Sequence, residues 1–173
     1  MKKKVIFETE RLFLKSVKIE DAHFILELYN SPKFLQFVGD RNIKVVEDAE
    51  KHIREKFLPH YETHGFGSYI IARKSDSKKV GNVGISKRDG LAAPDIGFSL
   101  LPEFERQGYG FESSKRLLEA GFHEFGLAKI SAITIKENIG SQKLIEKLGL
   151  QFKSIIQLPD YHEELMYYEI EKP

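Results

Sequence analysis

The chain has 173 residues, with 27 Lys and Arg against 26 Asp and Glu and a formal net charge of +1. That length suits one domain over residues 1–173 with a core that needs no staples, and the even charge balance supplies no basic field for nucleic acid. Cysteine is absent, which excludes disulfides, zinc–thiolate sites and a cysteine nucleophile together. The opening "MKKK" is followed by "VIFETERL" rather than by an apolar h-region, so no signal peptide is expected. No apolar run approaches the ~20 residues of a membrane helix. A cytoplasmic address is the default expectation.

The first predicted strand is "RLFLKSV" (11–17), where apolar and polar residues alternate. "KIEDAHFILELYN" carries Ala22, Ile25, Leu26 and Tyr29 at helical spacing and stops at Pro32. A second helix follows, with Val46, Ala49, Ile53 and Phe57 on one face and Gly65 and Gly67 at its exit. Strands at 68–74 and 80–86, joined by "SDSKK", read as a hairpin. "DIGFSLL" (95–101) is a strand that runs into "PEFERQGYG". Beyond it Phe111, Ser114, Leu118, Phe122 and Phe125 recur at helical spacing, with Gly126 as a C-terminal cap. "KISAITI" (129–135) is a strand, and "NIGSQKLIEKLG" is a short helix capped by Asn138 and ended by Gly149. "QFKSIIQLP" and "ELMYYEIE" give the last two strands. About seven strands and four helices in mixed order predict an α/β layered domain with a mixed sheet.

The turn before the long helix is the informative feature. A helix start leaves backbone N–H groups without partners, and the peptide dipoles add roughly half a positive charge there. An anion at that end meets donors and a favourable field. Gly108 and Gly110 remove side chains from its path, and Arg106 and Gln107 offer side-chain donors. The same glycines would also serve a plain tight turn. The Walker pattern is absent, and the dinucleotide fingerprint is only half present, because Ser113 occupies its third glycine position.

The stretch "DIGFSLLPEFERQGYGFESSKRLLEAGF" (95–122) resembles the acetyl-CoA motif of the GNAT superfamily of N-acetyltransferases, most closely the RimJ/RimL-like branch that acetylates ribosomal-protein N-termini. "ETERLFLKSVKIEDA", "KVGNVGI" and "KENIGSQKLIEKLGLQFK" resemble further pieces of that family in its order. The resemblance implies a single-domain GNAT fold: a mixed, mostly antiparallel seven-stranded sheet, about four helices, and a splayed central parallel pair. It implies acetyl-CoA as co-substrate, with the pyrophosphate on the N–H groups of Arg106, Gln107, Gly108, Tyr109, Gly110 and Phe111. The pantetheine arm would pair with the backbone near Phe98, Ser99 and Leu100, so the strand at 129–135 should diverge. Two positions depart from the superfamily pattern. Glu105 stands where Gln or Arg is usual and is expected to point outward, and Ile145 stands at the position of a proton-donating tyrosine.

Direct acetyl transfer needs a neutral amine, a polarised carbonyl and a stabilised thiolate. By resemblance Ser141 faces the thioester sulfur and donates to the leaving thiolate, and Asn138 meets the pantetheine amides; Asn138 also suits a simple helix cap. Asp95 is the candidate base, with strand-opening turn chemistry as its alternative role; Glu10 and His162 are weaker candidates. The aromatic segment 28–41 offers a wall for the acceptor, or core packing for Phe34 and Phe37. The expected acceptor is a primary amine at a peptide N-terminus, with a small amine, or coenzyme A binding without turnover, as alternatives. No nucleic-acid or membrane partner is expected, and self-association into a homodimer is left open.

Overall fold

The computed structural model describes residues 6–173. Alternation of apolar and polar residues builds β1 (Ile6–Glu8) and β2 (Leu12–Ser16), which pair antiparallel with Phe7, Leu12 and Leu14 turned inward. Three short helices follow: α1 (Ala22–Tyr29), α2 (Pro32–Phe37) and α3 (Val46–His52). Pro32 ends the first of these as expected, but it also starts the next, because proline at the first helical position lacks only an N–H that would be unpaired there anyway. Segment 28–41 therefore holds a helix the sequence reading had not separated, with the rings of Tyr29 and Phe34 stacked at 4.2 Å.

The predicted helix after Val45 is one continuous rod, but its middle is a π-turn (Ile53–Phe57) between α3 and α4 (Leu58–His64). Asp48 fixes its start by accepting from the N–H groups of Lys44 and Val45, and Gly65 ends it at φ +79°. The rest of the order is β3 (Ser68–Arg73), β4 (Lys79–Ser86), β5 (Asp95–Leu100), α5 (Tyr109–His123), β6 (Lys129–Ile135), α6 (Ile139–Lys147), β7 (Gln151–Ile156) and β8 (Leu165–Glu171).

Among the described residues, one eight-stranded sheet runs β1-β2-β3-β4-β5-β6-β8-β7. Every neighbouring pair is antiparallel except β5–β6. The strand beyond the seven expected is β1, three residues long and too short for periodicity to reveal. Tyr69 to Ala72 are all buried, so both faces of the sheet are covered at β3. Helix α5 packs on β4 and β5. Its Gly121 allows close approach, since a Cβ there would lie 2.6 Å from Ile130 and 3.0 Å from Ile85. A second, smaller core of Leu91, Leu158, Leu165 and Tyr167 joins the loops at 87–94 and 157–164.

Candidate active site

The central parallel pair barely touches. Strands β5 and β6 share a single register pair, Asp95 with Ser131, beside a bond from the Ser131 N–H to the Pro94 carbonyl at 2.8 Å. Past that point the strands part, as the resemblance implies. The Leu101 N–H donates to Val80 on β4 at 2.9 Å. Backbone direction alternates along a strand, so Ser99 also faces β4, whereas the N–H and C=O groups of Phe98 and Leu100 face the opening. Of the three residues expected to offer free backbone, two do.

The glycine turn closes one end of that opening. Gly108 sits at φ +85° as the N-cap of α5, and Arg106 at φ +59° precedes it. Among the described residues, no acceptor takes the backbone N–H groups from Arg106 to Phe111. A Cβ at Gly110 would press on Leu144 at 3.1 Å and Phe98 at 3.2 Å, so hydrogen there keeps α5, α6 and β5 in contact. The turn is held from outside by Arg11, whose Nη1 donates to the Gln107 carbonyl at 2.9 Å, whose Nε pairs with Glu112 at 3.3 Å, and whose guanidinium lies 4.5 Å from the Tyr109 ring centre. Arg11→Ala is expected to cost about 1 kcal/mol of stability and to weaken acetyl-CoA binding; urea unfolding and calorimetry measure both, and no change in either would remove Arg11 from this role.

Two side chains near the turn differ from expectation, those of Gln107 and Glu105. Gln107 folds back, its Nε2 donating to the Glu103 carbonyl at 3.0 Å, so only its N–H faces a ligand. Tyr109, expected to contribute its N–H, is buried in the core and offers backbone alone. Glu105 does not point away: it pairs with Lys33 of α2 at 2.6 Å, and this cation offsets its charge beside the cradle. Arg106, Lys143 and Lys147 line the same cavity, with Lys147 Nζ 4.1 Å from the Phe111 ring centre.

Helix α6 forms the opposite wall. Asn138 caps it, its Oδ1 accepting from the Ser141 N–H at 3.2 Å, which leaves the amide nitrogen for a ligand. Ser141 stands on the first turn, and Ile145, one turn on, is buried and apolar. Two cavities meet here, of about 710 Å³ and about 550 Å³. Phe98, Ser99, Asn138, Ser141 and Leu144 line both. The smaller cavity ends at the glycine turn, and the larger lies under α1–α4. Ser114 of α5 lines the larger; its hydroxyl is buried without a partner among the described residues.

Asp95, Ser86 and Arg88 also line the larger cavity. Asp95 is 4% exposed, and its Oδ1 accepts from Arg88 Nε at 2.7 Å. Arg88 Nη1 donates to the Tyr161 hydroxyl at 3.2 Å. Burial pushes the Asp95 carboxyl above the usual carboxylate range, and Arg88 pulls it back. A carboxylate engaged in this way positions Arg88 and is poorly disposed to take a proton from an amine. His60 is likewise committed: Nδ1 donates to the Phe66 carbonyl at 2.7 Å and Nε2 accepts from the Lys87 N–H at 3.0 Å. His52 is not so tied. It lies edge-on to Tyr29 and Phe57 in the cavity wall, and burial, then Arg41 and Lys56, push its pKa below the ordinary value. Such an imidazole is neutral at neutral pH and able to accept a proton.

Neither Arg11, Arg88, Tyr161 nor His52 was singled out as functional from the sequence, and Asp95 was singled out without its partners. Arg11 and Glu112 are 101 positions apart, and no local pattern links them. Only "ETERL", quoted above for its resemblance, points toward Arg11.

The comparisons agree with this geometry. Residues 11–151 match the family described as Acetyltransferase (GNAT) domain. A Bacillus subtilis (strain 168) protein, the uncharacterized N-acetyltransferase YoaA, is 26% identical over 97% of each chain. Among solved structures, the ribosomal-protein-S5-alanine acetyltransferase of Vibrio fischeri superposes with a TM-score of 0.81 at 20% identity, covering 98% of this chain and 100% of that one. A RimL ribosomal L7/L12 alpha-N-protein acetyltransferase in complex with coenzyme A superposes with a TM-score of 0.84 at 15% identity, covering 96% and 98%.

This chain belongs to the GNAT acetyltransferase family. It is an acyltransferase whose co-substrate is acetyl-CoA, and the unpaired N–H groups at the turn, with the three cations Arg106, Lys143 and Lys147 lining the same cavity, suit a diphosphate.

Proposed function

We propose that the chain acetylates a primary amine at the N-terminus of a polypeptide. The observation that carries this reading is the meeting of the two cavities at the parted strands. The smaller is the donor side, where the N–H groups of 106–111 hold the diphosphate and Phe98 and Leu100 offer free backbone to the pantetheine arm. The larger is the acceptor side. It is roomy enough for several residues of an extended chain, and the two superposed proteins whose names specify ribosomal-protein substrates lend support.

The co-substrate supplies the activated acetyl group; the protein positions, polarises and keeps out water. The Phe98 N–H is directed at the opening, where it can donate to the carbonyl oxygen. Ser141, on the wall shared by both cavities, donates to the departing sulfur. Ile145 supplies no proton, so Ser141 acts by hydrogen bonding. His52 takes the proton that the amine loses, and Asp95 keeps Arg88 in place.

Thiol release with short peptides and with the same peptides blocked at the α-amine tests the reading; mass spectrometry should place the acetyl group on that α-amine. Release that is equal with blocked peptides, or absent with all peptides, would count against it. Ser141→Ala is expected to lower kcat about tenfold or more with little change in acetyl-CoA affinity. Equal turnover would remove Ser141 from the chemistry.

A further inference from the structure

Building on the proposed acetylation of a polypeptide N-terminus, we infer that the acceptor carries a carboxylate close to its reacting amine, and that Arg41 and Lys56 receive it. The larger cavity is lined by four cations, Arg41, Lys56, Lys87 and Arg88, and three acids, Asp89, Asp95 and Asp160. Asp95 is spent on Arg88. Asp89 and Asp160 are exposed and stand on the two loops joined by the smaller core. Around Tyr29 and His52 the balance differs. Arg41 comes from the loop between α2 and α3, and Lys56 from the π-turn. Among the described residues neither has an ion-pair partner.

Their positive field is felt by other groups of the same cavity wall. Arg41 and Lys56 both disfavour a charged His52. Arg41 and Arg88 both favour an ionised Tyr29, although burial dominates and pushes that hydroxyl up to about 12. Two unpaired cations in a cavity wall that also holds Tyr29, His52 and a guanidinium fixed by Asp95 favour an anion and repel a second cation. A polyamine is therefore a poor fit. A carboxylate near the amine is a good one, whether it is the side chain of an acidic second residue or the α-carboxylate of a free amino acid. The polypeptide reading favours the first source.

The experiment compares kcat/KM for short peptides beginning Ser-Asp, Ser-Asn and Ser-Lys, for free amino acids and their amides, and for spermidine. The expected result is about a tenfold preference for Ser-Asp over Ser-Lys, which Arg41→Glu or Lys56→Glu inverts. Both side chains are exposed, so both variants should fold, and circular dichroism checks this. Peptides acetylated without regard to the second residue would overturn the inference and leave the polypeptide reading standing. Free amino acids acetylated in preference to their amides, with peptides inert, would support the carboxylate site and overturn the polypeptide reading. Spermidine as the best acceptor would overturn both.

Discussion

Gly108→Glu is expected to weaken acetyl-CoA binding by about a hundredfold or more while the fold survives. Two effects add. A carboxylate is placed at the helix start, where the N–H groups and the dipole serve a diphosphate, so like charge meets like charge. The residue must also keep φ near +85°, which costs a side chain about 1–2 kcal/mol. A Cβ there would meet only Arg11 Nη2, at 3.1 Å, the movable end of a long side chain. The new carboxylate could pair with Arg11 and draw it from the Gln107 carbonyl, loosening the turn further. Gly108→Ala carries the strain without the charge and should retain most of the affinity. Titration calorimetry with thermal melts separates the two effects. Unchanged affinity in the glutamate variant would place the diphosphate elsewhere.

Arg88→Met should be the most destabilising single change at the acceptor side. It leaves the Asp95 carboxylate buried with no partner. Removing one member of a buried pair costs about 3–5 kcal/mol, and the partial exposure of Arg88, 36% of its side chain, reduces this to about 2 kcal/mol. The pH dependence has a definite sign. Burial already raises the folded pKa of Asp95 above its unfolded value, and without Arg88 it rises further. A raised acid binds more protons in the native state, so its contribution to stability falls as pH climbs through the window between the two values. The variant's deficit should be largest at neutral pH and should shrink as the solution is acidified toward the carboxylate range. Urea unfolding of both proteins across that range measures it. A deficit that stays constant, or grows on acidification, would mean that Asp95 is not left charged and alone.

The proposed donor half of the site was legible in the sequence because its elements are local. A strand, a glycine turn and a helix start occupy residues 95–123 in unbroken order, and each has its own sequence mark. The Asn138 cap and Ser141 lie three residues apart on one helical turn. The proposed acceptor half was less legible because it is assembled from distant segments. Arg88, Asp95 and Tyr161 meet only because loops 87–94 and 157–164 share a small core. The strand-opening Asp95 carries no sign in its own neighbourhood that Arg88 will claim it. Gln107 and Glu105 misled for a related reason: their side chains answer to Glu103 and Lys33, and sequence position constrains a backbone far more tightly than a side chain. Pro32 was read correctly as a stop, but not as a start.

The π-turn at Ile53–Phe57 bears on how such an enzyme changes substrates. It holds one residue more than regular helical winding would use, and it carries Lys56 and Phe57 into the wall of the larger cavity with His52. Deleting a residue there would restore ordinary winding and turn the two halves of the rod against each other by about 100°. The donor half, built on β5, α5 and α6, contributes nothing to that rod. A one-residue indel could thus hand the protein a new clientele of amines while its acetyl supply stays as it was.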